Sequence, residues 1–282
     1  MMTYRTITAA REATSYFQQL RERGVETIAL DLEGEYNLHQ YGEKLCLIQI
    51  YDGTDLVAVD PFGLNAEQIK LLMENDSILK VMYDSLSDQA LLQKCYGSRI
   101  SSIFDLRPAS DLLQFERQDL GSVLEQTIGV RIEKKKKFQR YNWTRRPIEQ
   151  EAVEYALSDV LHLPALKDKL ISMLSERRLL DTFWLRNLKV QNRDFTTDRR
   201  PRLFKTGEFL RLSKEQKGLF ERVYDVRDKH ARALNLPPDM VVTKDQMFKF
   251  ASGQVKAESV ATSPRVPATI RERLITELRA LL

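Results

Sequence analysis

Two short apolar runs, Leu45 to Tyr51 (LCLIQIY) and Leu56 to Val59 (LVAV), are separated by a turn signal at Asp52-Gly53, with Thr54 following. Strands this close, joined by so tight a turn, form an antiparallel hairpin. The hairpin constrains the fold because the surrounding sequence alternates strand and helix. A purely parallel doubly wound sheet does not accommodate it. No Gly-x-Gly-x-x-Gly follows any strand, so the phosphate loop of a dinucleotide fold is missing as well.

Around the hairpin, a helix is expected over Ala9 to Arg23, capped by Thr8 and stopped by Gly24. Glu26 to Leu32 is a β-rich run. Asn65 caps a helix through Leu72, and Ile78 to Met82 is a further strand. A helix from Ser87 to Tyr96 ends at Gly97, and Ile100 to Phe104 is a fifth strand. Helical patterns then cover Pro108 to Phe115, Leu120 to Ile128 and Ile148 to about Arg177. This predicts an α/β fold, a mixed sheet of about five strands flanked by helices.

Residues 191–206 (QNRDFTTDRRPRLFKT) lose apolar periodicity and gain Arg, Pro and Thr, as a linker does. Beyond them Ser213 starts a helix, and Thr243 with Gln246 suggests a capping box. The expected organisation is a domain over 1–190, a basic linker over 191–206 and a small all-helical module over 207–282.

The 282 residues are 43% hydrophobic and 30% charged, which excludes a largely disordered chain. Two cysteines, Cys46 and Cys95, make no disulfide framework. No apolar run approaches the roughly 18 residues of a membrane span. The first twenty residues show no signal-peptide core, so a soluble cytoplasmic protein without an obligate protein partner is expected.

The net charge of +4 is unevenly spread. Arg131 to Arg146 holds eight Lys or Arg against one acid, and Arg186 to Arg211 holds eight against three. Positive runs beside motif-like carboxylates suit a polyanion handled through metal ions.

The carboxylates in question begin with Asp31 and Glu33, at i and i+2 near the end of the first strand of the pattern. That spacing puts both on one face, where they repel unless a cation lies between them. Asp88 opens the helix after Met82, with Asp84 as its competitor four residues back. Tyr155 and Asp159, at i and i+4, share a helix face. Only three histidines are present, and oxygen ligands favour hard cations over zinc.

Taken in order, Asp31-x-Glu33, Leu47-Ile48-Gln49-Ile50, Asp88, Trp143-x-x-Arg146-Pro147 and Tyr155-x-x-x-Asp159 resemble the DEDDy exonucleases, ribonuclease D in particular. The resemblance runs from about Ile28 to Leu166. Leu212 to Ala251 looks like a helicase-and-ribonuclease-D C-terminal (HRDC) module, a small nucleic-acid-binding domain. The family usually has His where this chain has Tyr83.

The resemblance implies a ribonuclease H-like (DnaQ-like exonuclease) fold and a 3'-5' exoribonuclease acting on single-stranded 3' ends of RNA, such as tRNA precursors. It implies that Asp31, Glu33, Asp88 and Asp159 hold two divalent cations, Mg²⁺ or Mn²⁺, about 3.5–4 Å apart. Tyr155 is then the residue that orients the attacking water, a phenol being a poor base at neutral pH. Lys134, Lys135, Lys136, Lys137, Arg140, Arg145 and Arg146 are expected to hold the phosphate backbone. Phe138, Tyr141 and Trp143 are placed to stack on bases, with core packing as the plainer role for Trp143. A DNA exonuclease and a non-catalytic RNA-binding protein on the same fold are the alternatives.

Overall fold

The structure is a computed structural model that describes residues 2–132, 137, 138, 140–196 and 201–282. The chain divides into two compact units, one of Met1–Gly34 with Lys44–Thr197, the other of Glu35–Glu43 with Asp198–Leu282.

The first unit is built around a sheet. Its elements run β1 (Arg5–Ile7), α1 (Ala10–Glu22), β2 (Thr27–Tyr36), β3 (Glu43–Tyr51), β4 (Leu56–Val59), α2 (Ala66–Met73) and β5 (Leu79–Met82). They continue α3 (Leu86–Tyr96), β6 (Ile103–Asp105), α4 (Arg107–Leu112), α5 (Leu120–Ile128), α6 (Gln150–Leu161), α7 (Leu163–Glu176) and α8 (Leu180–Gln191). The strand order is β1-β4-β3-β2-β5-β6. β3 and β4 pair antiparallel, Ile48 opposite Val59, as the Asp-Gly turn predicts. β1 with β4, β2 with β5 and β5 with β6 pair parallel.

The mixed α/β sheet is the expected one, with six strands instead of about five. The additional strand, β1, has only three residues and sits at the sheet edge, too short to show a period. The strand expected over Ile100 to Phe104 starts at Ile103. The expected helix over Ile148 to Arg177 is two helices, broken at His162. Pro164 forces the break, since it lacks an N–H and clashes with the preceding turn. Thr8 does not cap α1; Ala9 is the N-cap, and Thr8 N donates to Glu12 Oε2 at 3.3 Å. Asn65 and Gln68 close the full capping box at α2, and Gly97 ends α3 in the left-handed conformation.

Two apolar clusters sandwich the sheet. α1, α2 and α3 contribute Phe17, Leu20, Ile69, Leu72 and Leu91 to one. α4 to α8 contribute Ala109, Leu124, Ala156, Leu166 and Phe183 to the other. Along β2, Ile28, Leu30 and Leu32 enter the first cluster and Ala29 the second. Strand alternation therefore puts Asp31 and Glu33 on the face covered by α4 to α8.

The second unit is helical: α9 (Gly207–Leu210), α10 (Lys214–Leu234), α11 (Pro238–Val241), α12 (Lys244–Ala251) and α13 (Ala268–Arg279). Phe204, Phe209, Phe220 and Phe248 form its aromatic centre, with the Phe220 and Phe248 rings 4.5 Å apart. Ser213 and Gln216 form the capping box of α10; at α12 only the half from Gln246 N to Thr243 Oγ1 forms. Glu35–Glu43, which the sequence reading assigns to the first domain, belongs to this unit, where the Tyr41 hydroxyl donates to Asp228 Oδ2 at 2.8 Å. Among the described residues no helix is long and apolar enough to cross a membrane.

Candidate active site

Asp31 and Glu33 lie within β2, not at its end, because the strand continues through Gly34 and Glu35 to Tyr36. A glycine after two acids reads as a stop, but here it is accommodated in the strand. Asp159 comes from α6, whose buried face packs on the same side of the sheet. Carboxylate oxygens of Asp31, Glu33 and Asp159, all partly buried, lie within 4.8 Å of one another. Asp88, in the first turn of α3 and 6% exposed, stands outside that trio, yet close enough to feel its charge.

Such a cluster is costly without a cation. Burial holds the Asp31 carboxyl well above its usual range, and the charge of Asp159 pushes it further. Burial and then Asp31 and Asp159 do the same to Glu33. Asp88 is raised first by burial and next by Asp31 and Glu33. The oxygen donors of Asp31, Glu33 and Asp159, crowded together in a partly buried place with Asp88 feeling the charge of two of them, fit hard divalent cations. Asp31, Glu33 and Asp159 are the residues that would hold them, with Asp88 alongside.

Asp84, the competitor of Asp88, turns away from this group. Its residue takes a left-handed backbone, φ 61°, and its carboxylate pairs with Arg107 at 3.7 Å. The turn that separates the two is held by Asp105, which no motif in the sequence marks. Asp105, 1% exposed, accepts from Asp84 N, Ser85 N, Ser85 Oγ and Arg107 N at 2.8–2.9 Å. It thereby fixes the entry to α3 and so the place of Asp88. The available signal was a lone acid at the end of an apolar run, Ile103-Phe104-Asp105.

Asp31 and Asp159 open onto a cleft of about 310 Å³, lined also by Tyr155, Tyr83, Leu120 and Leu163 among others. Tyr155 stands one turn before Asp159 on α6. Burial, then Asp159 and the other two acids, push its phenol up to about 12. It is thus a protonated donor across the neutral range. Tyr83, in place of the family's usual His, directs its hydroxyl to Ser110 Oγ at 2.9 Å and to Gln118 O at 2.5 Å. Tyr83 thus lines the cleft with its hydroxyl bonded to α4 and to the segment before α5.

The expected backbone-binding residues separate into three groups. Lys134, Lys135 and Lys136 lie outside the described residues. Lys137, Arg140 and Arg145 are exposed. Trp143 and Arg146 make contacts within the protein. Trp143 is 5% exposed and belongs to the core below α6, which agrees with the plainer packing role. Arg146 is a staple: it reaches Asp60 Oδ1 at 2.8 Å, Cys46 O at 2.8 Å and Trp143 O at 2.7 Å, and lies 4.2 Å over the Phe62 ring. Phe138, also expected to stack on bases, is 2% exposed and packs against Tyr155.

The model of the 3'-5' exonuclease family matches residues 4–175, which covers the sheet and every one of these acids. The chain belongs to the 3'-5' exonuclease family. Among curated relatives, exosome complex component 10 of Rattus norvegicus is 28% identical over 276 residues, 92% of this chain and 30% of its own. Ribonuclease D of Zymomonas mobilis is 30% identical over 154 residues, 53% of this chain and 39% of its own. The chain spans less than two-fifths of the length of either.

Solved structures extend the likeness of this exonuclease-family chain to both units. The catalytic core of RRP6 from Trypanosoma brucei superposes with a TM-score of 0.76 at 24% identity, covering 99% of this chain and 80% of that one. RNase D of Escherichia coli, an exoribonuclease involved in structured RNA processing, gives 0.76 at 22%, covering 99% and 75%. NrnC of Brucella melitensis with bound Mg²⁺ gives 0.56 at 21%, covering 76% and 98%. These fix the fold as that of the ribonuclease D and RRP6 exonucleases.

Proposed function

We propose that this member of the exonuclease family is a 3'-5' exoribonuclease of the ribonuclease D type. It hydrolyses the 3'-terminal phosphodiester of single-stranded RNA ends and releases nucleoside monophosphates. Structured RNAs such as tRNA precursors are the proposed substrates, and the cytoplasm the proposed setting. The observation that carries the reading is the trio Asp31, Glu33 and Asp159 within 4.8 Å, with Asp88 beside it and Tyr155 on the cleft wall. The resemblance to curated ribonuclease D and to exosome component 10 favours RNA over DNA.

Two Mg²⁺ or Mn²⁺ ions bound by these carboxylates would supply Lewis-acid activation of water and neutralise charge on the phosphodiester. Asp31 and Glu33, fixed on a strand, set the spacing of the donors. Asp159 closes the group from α6, and Asp88 adds negative charge from a third element. Tyr155 directs its phenol O–H toward the attacking water and orients it. It does not take the proton, because a phenol, ordinarily near 10, already keeps its own at neutral pH and burial favours the protonated form further.

Lys137, Arg140 and Arg145 are proposed to track the phosphate backbone outside the cleft. The helical unit is proposed as an HRDC-like nucleic-acid-binding module that gives the chain its grip on longer RNA. The test is degradation of matched RNA and DNA oligonucleotides carrying a 5' label. Mg²⁺-dependent shortening of the RNA from its 3' end supports the reading. Preference for DNA would make the chain a DNA exonuclease, and binding without cleavage would make it a non-catalytic RNA-binding protein.

A further inference from the structure

The segment that precedes α6 carries positive charge, yet its aromatic side chains are turned inward. Phe138, 2% exposed, places its ring 5.0 Å from that of Tyr155, the two planes inclined by 35°. Tyr141 lies 5.9 Å from Phe138 and 4.8 Å from Trp143, so the three rings form a row ending at Tyr155. The row is tied to the helix that bears Tyr155 and Asp159. Glu149, the N-cap residue of α6, donates its N–H to the Tyr141 hydroxyl at 3.1 Å. Lys137 pairs with Glu151 in the first turn of α6 and lies over the Phe138 ring at 4.6 Å. Tyr155 itself is packed by aromatic carbon on one side and borders the cleft on the other.

On a helix a tyrosine's χ1 is confined to staggered wells but its χ2 is broad unless the ring is held, and aromatic pairs in this range are attractive and directional. We propose that Phe138 is a positioning residue: its ring holds the Tyr155 phenol at the angle from which the hydroxyl meets the attacking water. The proposal rests on the exonuclease reading of the site. It also gives the basic segment a second duty. Lys137 and Arg140 face solvent on the same stretch whose Phe138 supports the catalytic phenol, so the surface proposed to hold phosphate and the residue that orients water share one support.

The test compares wild type, Phe138→Leu, Phe138→Met and Phe138→Tyr, each also combined with Tyr155→Phe, on a short Mg²⁺-containing RNA assay. Phe138→Met keeps volume without a flat face, and Phe138→Tyr keeps the ring. Carbon-13-labelled tyrosine NMR of the same proteins reads the Tyr155 ring without reference to activity, with the Tyr155→Phe spectrum identifying its signal. Losing the ring should lower kcat about ten- to a hundredfold, as sub-ångström misplacement does. KM should stay within about twofold. Phe138→Tyr should restore the rate, the Tyr155 ring signal should move in Phe138→Leu and Phe138→Met, and neither should lower kcat further once the Tyr155 hydroxyl is gone. Wild-type rates in Phe138→Leu and Phe138→Met, an equal loss with and without the Tyr155 hydroxyl, or an unmoved Tyr155 signal would overturn the assignment. An inactive wild type would instead remove the exonuclease reading on which it stands.

Discussion

Asp31, on a strand, and Asp159, on a helix far along the chain, bring carboxylate oxygens within 4.8 Å of each other. Each raises the charge cost of the other's neighbourhood, because both are partly buried and the charge of Asp159 adds to burial in raising Asp31. Removing one of two repelling acids relaxes the metal-free protein and removes a ligand from the loaded one. Asp31→Asn should therefore melt at or above the wild-type temperature in EDTA. In Mg²⁺ or Mn²⁺ the wild type should gain melting temperature and the variant should not, which a thermal shift series in each metal reads directly.

Tyr155→Phe keeps the ring against Phe138 and deletes only the hydroxyl. Its kcat should fall about a hundredfold, at the lower bound for a positioned proton-bearing group. The pH–rate profile between pH 6 and 9 should keep its shape, since the wild-type phenol remains protonated there. A profile that loses a limb in the variant would assign Tyr155 a base role.

Arg146 and Asp60 form a partly buried pair, with side chains 27% and 17% exposed. Arg146→Ala strands Asp60 and the carbonyls of Cys46, Trp143 and Arg145, so it should cost about 2 kcal/mol in urea unfolding, less than a fully buried pair. Its KM for short RNA should change less than that of Arg145→Ala, whose side chain is 68% exposed. The reverse order would return Arg146 to the phosphate-binding set.

The acids were legible because their spacing carries chemistry at short range: i and i+2 on a strand, i and i+4 on a helix. The hairpin was legible for the same reason. The internal contacts of Trp143 and Arg146 were not. Both lie in a basic, aromatic stretch that reads as a nucleic-acid surface. What turns them inward is long-range: Asp60, Cys46 O and the core under α6. β1 was missed because its three residues pair with β4 across fifty positions. Asp105 was missed because a buried acid is recognised by the N–H groups that converge on it, and those come from a distant turn.

Lys80 offers a pH test independent of the site. It is fully buried on β5, and burial pushes its ammonium down from 10.5 to about 8 while Asp76 partly opposes the shift. The unfolded chain binds this proton below about pH 10.5 and the folded chain only below about 8. Folding is penalised in full below pH 8, and the penalty fades as pH rises to 10.5. Lys80→Met should thus gain stability over wild type at pH 7, less what is lost with the Lys80 Nζ donation to Asn75 O, and the gain should shrink as pH rises to 10.5. Denaturant midpoints of the two proteins at pH 7, 9 and 10.5 check this.

Buried Trp143 is open to a spectroscopic check. In a Trp184→Phe protein the remaining indole should emit as a shielded chromophore, resist acrylamide and stay unquenched by single-stranded RNA. Quenching by RNA would put the ring on the binding surface.

The central claim is that four carboxylates on β2, α3 and α6 make a metal-dependent exonuclease that works from the 3' end. A 5'-labelled single-stranded RNA, incubated with wild type, Asp31→Asn and Asp159→Asn in Mg²⁺ and in excess EDTA, tests it most directly. The account predicts a ladder shortening by single nucleotides from the 3' end in wild type with Mg²⁺. It predicts no cleavage in EDTA, and a loss of several orders of magnitude in each variant. Cleavage that persists in EDTA, proceeds from the 5' end, or survives both substitutions would contradict it.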